Sequence, residues 1–333
     1  MIWFFLIILF IFCFLAYRFY IKFIGVKLGQ YVREDAPKHH MSKEGTPTAG
    51  GIVFSIFILF FSLILNFFYP IPLYGIFVLL FLGCMLIGFY DDVMKILNKR
   101  NLGLKAREKL FLQLILTSLV FYIMSGYSDY FQENLGVNFS SVVFHEKVVD
   151  FGGFYFIFLY FLIAGVTNAT NLTDGLDGLL ASLSITTLLG YMVIFLLLSN
   201  VGMVYLVLGI ICFILVFLFF NFPKASVFMG DSGSMAIGSI FVYLSVVSKT
   251  ESYLLFLGYI YFLVTLSVIL QVIYFRITNG RRLFNITPLH HHFELMGYSE
   301  KDILLRFNFV NIIFVVVGLL FILFKFIEGG KLG

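Results

Sequence analysis

Charge is scarce in this sequence. Only 12% of its 333 residues are Asp, Glu, Lys or Arg, about half the share of an ordinary soluble domain. Hydrophobic residues make up 61%, and mean hydropathy is +1.03. Such a composition excludes a soluble globular domain and points to a chain that crosses a membrane several times. Cysteine is sparse as well. Cys13, Cys84 and Cys212 each lie in an apolar run, in no spacing that suits a disulfide framework or a zinc site. The first stretch, "MIWFFLIILFIFCFLAY", lacks a basic start and a small-residue cleavage site, so it reads as a retained span and not a signal peptide. Tandem repeats and low-complexity linkers are also missing, and a single helical domain over 1–333 is expected. The 45 phenylalanines follow no period and serve as apolar filler.

A helix needs about 20 apolar residues to cross the hydrocarbon core. Ten segments meet that requirement, near 2–22, 51–68, 73–90, 109–126, 153–170, 178–198, 201–220, 233–248, 253–275 and 304–327. The expected fold is therefore all-α and polytopic, with about ten transmembrane helices. Of the 22 Lys and Arg, 18 fall in alternate joints and the adjoining helix ends, near 18–43, 95–109, 224 and 276–306. An excess of basic residues marks the cytoplasmic side, which places both termini outward. The outward joint at 127–152 alternates as "VNFSSVVFHEKVVDF", a pattern that predicts a short hairpin.

Polar residues at membrane depth are costly and usually mark function. Here they gather in joints assigned to one side. "TNATNLTDGLDGL" (167–179) sets Asn168, Asn171, Asp174 and Asp177 at steps of three. Four such residues would drift around a continuous helix, so a helix end, a glycine-containing turn and a new helix are expected. Simple capping of a helix end is the plainer alternative. In "GFYDDVMK" (88–95), Asp91 and Asp92 diverge by about 100° on a helix. One can face the bundle while the other meets a loop, or Lys95 can pair with them at a solvated helix end. Asp231 in "FMGDSGS" can cap the eighth span, a role compatible with ligand binding. His290, His291 and His292 are consecutive, which argues against a helical zinc site. Only alternate ones share a face in an extended loop, and with Arg281 and Arg282 upstream they read as phosphate donors. "SKEGTPTAGG" (42–51) adds Lys43 and Thr48 just before the second span. Thiol-free, oxygen-rich clusters suit Mg²⁺, which takes one or two carboxylates plus substrate phosphates. Carboxylates, scattered cations and an interfacial position are what phosphoryl transfer requires.

"SKEGTPTAGG", "GFYDDVMK", "NATNLTDGLDGL", "NFPKASVFMGDSGS" and "PLHHHFELMGYSE" resemble the successive motifs of the phospho-N-acetylmuramoyl-pentapeptide transferases. That family belongs to the polyprenyl-phosphate N-acetylhexosamine-1-phosphate transferases, and the resemblance covers essentially the whole chain. It implies an Mg²⁺-dependent enzyme of the bacterial inner membrane, usually a homodimer, with its active site on the cytoplasmic face. The reaction implied moves phospho-MurNAc-pentapeptide from UDP-MurNAc-pentapeptide to undecaprenyl phosphate, giving lipid I and UMP in peptidoglycan biosynthesis. A nucleic-acid partner is not expected. By similarity Asp231 would bind the metal, with Asn171 as a second ligand. Lys43, Gly175, Leu176, Asp177, Asn221 and Phe228 would line the uridine pocket. Asp91, Asp92, Asp174 and the three histidines would surround the phosphates, His290 as a catalytic residue, while Lys95 and Lys109 would offset charge. Thr48 and Asn168 complete the expected substrate contacts. One departure is visible: Thr287 stands where the family usually has Ala before the proline.

Two rival readings differ in class. A sister transferase of GlcNAc-1-phosphate shares the acidic motifs but not the "PLHHHFE" segment. An ion-coupled transporter also places acids in a helical bundle, yet near the bilayer midplane on broken helices. Here the acids lie at span ends.

Overall fold

A computed structural model describes residues 1–24, 45–98, 103–144 and 147–329, with side chains of the last helix as far as 324. Within these residues ten helices are long and apolar enough to cross a membrane. The first four are α1 (Ile2–Phe19, continued by a π-helical turn Tyr20–Ile24), α2 (Gly51–Phe68), α3 (Tyr74–Leu97) and α4 (Ala106–Ser125). A short helix α5 (Ser128–Leu135) precedes strands β1 (Ser141–Phe144) and β2 (Lys147–Asp150). Then come α6 (Tyr155–Thr173), α7 (Leu179–Leu197), α8 (Val201–Asn221) and α9 (Gly230–Ser248). The chain ends with α10 (Leu254–Leu257), α11 (Tyr259–Ile277), α12 (Leu289–Leu295) and α13 (Glu300–Gly329). The other spans are α6, α7, α8, α9, α11 and α13.

Local chemistry sets several boundaries. Glu108 accepts the Lys105 N–H at 2.9 Å and starts α4. Asn200 accepts the Met203 N–H at 3.1 Å and starts α8. The hairpin read from the alternating stretch is present, with Ser141 opposite Asp150 and Phe144 opposite Lys147. Three features depart from the sequence reading. Helix α3 runs seven residues beyond its predicted end at 90, so Asp91 and Asp92 lie inside the helix. The single span expected near 253–275 breaks at Gly258 into α10 and α11. The histidine stretch is the short helix α12, not an extended loop.

Helix α9 is the axis of the bundle. Every residue from Ser232 to Ser248 is buried, and α3, α6 and α2 pack around it. In lipid, helices associate through close packing of small residues, and α9 carries Gly233, Ala236, Gly238 and Ser239 for this. A Cβ on Gly88 of α3 would lie 2.2 Å from the Asp231 carbonyl oxygen. A Cβ on Gly238 would lie 2.7 Å from the Cα of Thr167 in α6. Successive spans alternate in direction. The C-terminal ends of α3, α6, α8 and α11 therefore meet the N-terminal ends of α4, α7, α9 and α13 at one end of the bundle.

The hairpin lies at the opposite end, where Lys249 and Glu251 are buried. The Lys249 ammonium donates to the carbonyls of Phe139 (2.7 Å) and Ser141 (3.0 Å) and to Glu251 Oε1 (3.4 Å). It also sits 4.7 Å from the Phe131 ring centroid and 5.0 Å from that of Tyr155. The Tyr155 hydroxyl donates to Glu251 at 3.0 Å. Burial lowers the Lys249 pKa and raises that of Glu251, so each charge depends on the other. Lys249→Met strands the Glu251 carboxylate and should cost about 3–5 kcal/mol. Lys249→Met combined with Glu251→Gln should recover part of that loss. Thermal unfolding in detergent measures both, and equal melting of wild type and single variant would refute the coupling.

Candidate functional site

Asp92 organises the site. Its Oδ1 accepts the Asp231 N–H and its Oδ2 the Ser232 N–H, both at 3.0 Å. A carboxylate from α3 thus takes the first free N–H groups of α9, where the helix dipole favours negative charge. Gly230 turns the chain into α9 at φ +75°, and a Cβ there would lie 2.6 Å from the Asp92 carboxylate. The Asp231 side chain was expected as the possible cap. The backbone uses Asp92 instead, which frees the Asp231 carboxylate for other partners.

Those partners are ammonium groups. Asp231 lies 2.7 Å from Lys95 Nζ and 2.8 Å from Lys109 Nζ. The same two lysines reach Asp91, at 2.7 Å and 3.3 Å. The Asp91 Oδ1 also accepts the Leu104 N–H at 2.9 Å, and a Cβ on Gly103 would meet its carboxylate at 2.6 Å. The 100° divergence read from the sequence is realised: Asp92 faces α9 and Asp91 faces the loop before α4. Both are nearly closed off from solvent, at 2% and 3% exposure, whereas the Asp231 side chain is 14% exposed. Asp231 is therefore the member of the group that a ligand can reach.

The stretch 167–179 folds as a helix end, a turn and a new helix. Helix α6 stops at Thr173, and Gly178 opens α7 at φ +75°. Plain capping does not account for the acids. The Asp177 Oδ2 accepts the Ala225 N–H at 2.9 Å, and no side chain caps α7. Asn221 works alongside it. Its Oδ1 accepts the Gly178 N–H (2.9 Å) and its Nδ2 donates to the Val227 carbonyl (2.8 Å). Asp177 and Asn221 thus tie the 174–178 turn to the 222–229 loop, and Leu176 of that turn is buried. Asp174 is half-buried. Burial, then the neighbouring charges of Asp231, Asp92 and Asp177, push its carboxyl up to about 8 against an ordinary 3.8, with Lys95 opposing.

The other motifs arrive at the same end of the bundle. Phe228 N–H donates to the Pro47 carbonyl and Gly50 N–H to the Phe228 carbonyl, both at 2.8 Å. These bonds seat the segment containing Thr48 against the start of α9, and the Tyr20 hydroxyl donates to the Thr48 carbonyl. Lys43 lies outside the described residues. The three histidines diverge on α12. His290 is fully buried, and a Cβ on Gly175 would meet its Nε2 at 2.2 Å. His291 Nδ1 pairs with Glu294 at 2.5 Å. His292 Nδ1 accepts the Asn285 N–H at 3.3 Å, which turns it away from the other two. Of the three, His290 is the one that packs against the turn carrying Asp174, through Gly175.

Asn171 and Asn168 separate as the helix drifts. The Asn171 Nδ2 donates to Ser234 Oγ at 3.1 Å, which keeps it beside α9. Asn168 turns to α4, donating to Gln113 Oε1 at 3.2 Å. Gln113 is buried and donates in turn to Thr167 Oγ1 at 2.9 Å. It is the polar residue that sequence reasoning missed, although a lone Gln four residues after Lys109 in an apolar helix was a usable signal. Asp91, Asp92 and Asp231 can each offer an oxygen within 4.8 Å of the others. This all-oxygen set suits a hard divalent cation such as Mg²⁺. Because Asn171 donates through its nitrogen, its carbonyl oxygen keeps its acceptor capacity.

A family model described as glycosyl transferase family 4 matches residues 74–249. Among curated proteins, the chain is similar to phospho-N-acetylmuramoyl-pentapeptide-transferases of several bacteria. That of Listeria welshimeri is 38% identical over 313 residues, covering 90% of this chain and 91% of the relative. That of Caldanaerobacter subterraneus is 40% identical, covering 90% and 92%. That of Desulforamulus reducens is 41% identical, covering 89% and 87%.

Two measurements test this geometry. Asp92→Asn keeps one acceptor oxygen and turns an NH₂ toward the second backbone N–H, so stability should fall by about 1–3 kcal/mol. A melting temperature within error of wild type would refute the clasp. For Asp174, the folded protein binds a proton between roughly pH 4 and 8 that the unfolded chain does not. The stability this contributes is complete below the unfolded pKa and is lost as pH rises through about 8. In chelator-treated protein, melting temperature should therefore fall from pH 5 to 8.5, and Asp174→Asn should flatten that fall. Parallel curves for wild type and variant would show that Asp174 ionises normally.

Proposed function

Because the chain belongs to the phospho-N-acetylmuramoyl-pentapeptide-transferase family, we propose that the cluster around Asp231 is its reaction centre. There phospho-MurNAc-pentapeptide passes from UDP-MurNAc-pentapeptide to undecaprenyl phosphate. One observation carries this reading: separate motifs fold onto one end of a membrane bundle around Asp91, Asp92 and Asp231, with Lys95 and Lys109 between them.

An oxygen of the lipid phosphate attacks the sugar-linked phosphorus of the donor. The bond from that phosphorus to the bridging oxygen breaks, and the electron pair leaves with UMP. The sugar keeps its own oxygen–phosphorus bond. A phosphate monoester has a second pKa of about 6, so the attacking group is already mostly dianionic at neutral pH and needs no strong base. The residues therefore position and neutralise. Lys95 and Lys109 are the cations nearest the reacting phosphates, and Asp91 and Asp231 hold their ammonium groups in place. His290 approaches from α12 next to the turn that carries Asp174, with His291 behind it on Glu294. Asp231, with the Asn171 carbonyl and Asp91 as further oxygens, would hold Mg²⁺. That ion supplies Lewis-acid neutralisation of pyrophosphate charge when bound. Phe228, Leu176 and the 174–178 turn form the wall against which a uracil ring would lie, with Asp177 and Asn221 fixing that wall from behind.

The basic joints support a cytoplasmic position for this end of the bundle. With both termini outward, the protein would lie in the bacterial inner membrane, where a soluble donor meets a lipid acceptor. A homodimer, as in the family, is the proposed assembly.

Purified protein with UDP-MurNAc-pentapeptide, undecaprenyl phosphate and Mg²⁺ should release UMP, and no release would overturn the reading. Asp231→Asn should lower that rate at least a hundredfold, about 2.7 kcal/mol of transition-state stabilisation. His290→Ala should lower it at least tenfold. Wild-type rates in either variant, with the fold checked by thermal unfolding, would remove that residue from the mechanism.

A further inference from the structure

A cavity opens near the start of α13. It lies between the 222–229 loop and the turn that joins α12 to α13, with a volume of about 570 Å³, within the range of small-ligand sites. Its lining includes Lys224, Glu294, Tyr298, Ser299, Glu300 and Lys301. None of these belongs to the residues given a role in phosphoryl transfer.

Two covalent neighbours link this cavity to the reaction centre. Lys224 precedes Ala225, whose N–H binds Asp177 at 2.9 Å. Glu294, with its side chain only 2% exposed, holds His291 at 2.5 Å, and the adjacent His290 packs against Gly175. A donor whose phosphates lie beside His290 and Asp231 therefore has its sugar substituent close to this cavity. The two lysines are exposed, and Lys301 Nζ lies 6.0 Å from the Phe222 ring centroid. The Tyr298 ring is held between the Arg306 guanidinium (4.6 Å) and the Phe293 ring (5.9 Å), which gives the cavity a rigid apolar wall.

The lining has mixed charge, and that selects among the parts of the two substrates. A polyprenyl tail has no use for four charged side chains. Phosphates would meet two carboxylates. A peptide joined to a sugar through its N-terminus has a free C-terminal carboxylate, and a diamino acid within it adds an ammonium group. Carboxylate against Lys224 and Lys301, and ammonium against Glu300, is the complementary pairing. We infer that this cavity receives the peptide arm of the donor, an inference that rests on the transferase reading above.

The test compares UDP-MurNAc-pentapeptide with UDP-MurNAc, which lacks the peptide, in the full-length protein. Wild type should favour the peptide donor by at least tenfold in kcat/KM. The double variant Lys224→Ala, Lys301→Ala should lose most of that preference through KM, with turnover of UDP-MurNAc unchanged. Lys224→Arg with Lys301→Arg, which keeps both charges, should retain the preference and shows that folding is not the cause. Equal loss on both donors, or no loss on either, would overturn the peptide subsite while leaving the transferase reading intact. No UMP from wild type with either donor would overturn both.

Discussion

The clasp between Asp92 and the first turn of α9 is the contact on which the site depends. A buried carboxylate on one span accepts two backbone N–H groups of another, where an unpaired donor would cost most. The contact forms only because Gly88 lets α3 approach the Asp231 backbone and Gly230 lets the chain turn beneath the carboxylate. With the helix start satisfied from outside, Asp231 has no capping duty. Its carboxylate can face Lys95 and Lys109, at the margin that solvent reaches.

Charge balance follows from that arrangement. Asp91 and Asp231 share two ammonium groups, one a turn along α3 from Asp91 and one from the first turn of α4. A cluster of this kind tolerates burial because each charge has an opposite partner within about 3 Å, whereas a lone ion at this depth would not. The same pairing leaves the cluster adaptable. An incoming pyrophosphate offers the lysines new anionic partners, and a divalent cation would offer the aspartates a new positive one. The opposite end of the bundle shows the contrasting use of buried charge. Lys249 and Glu251 are enclosed by carbonyls and aromatic rings and tie the hairpin to the spans.

Ten spans, the hairpin and the acidic motifs were legible in the sequence because each rests on a local property. Hydropathy over 20 residues identifies a span, alternation identifies a strand, and an aspartate in an apolar chain identifies itself. The break within 167–179 was also legible, since steps of three cannot stay on one helical face and glycines supply the break. Less legible was the division of labour among chemically identical groups. The sequence did not show that the Asp92 carboxylate would accept the first N–H groups of α9 while Asp231 faces two lysines, or that Asp177 and Asn221 would bind the backbone of facing loops. Gln113 was overlooked because a single amide in an apolar helix has no motif around it. The histidines were read as an extended loop because three identical side chains in a row carry no period.

By itself the sequence determined which residues could carry charge into the membrane and in what order they occur along the chain. It also determined that they fall at span ends, because a helix of fixed rise must cross a hydrocarbon layer of fixed thickness. Only the tertiary structure decided which aspartate caps α9 and which faces the two lysines, and which histidine packs against the turn carrying Asp174. Those outcomes depend on how closely α3, α6, α12 and α9 approach one another. That approach is set by side-chain volume across helices distant in the chain, which no local pattern encodes.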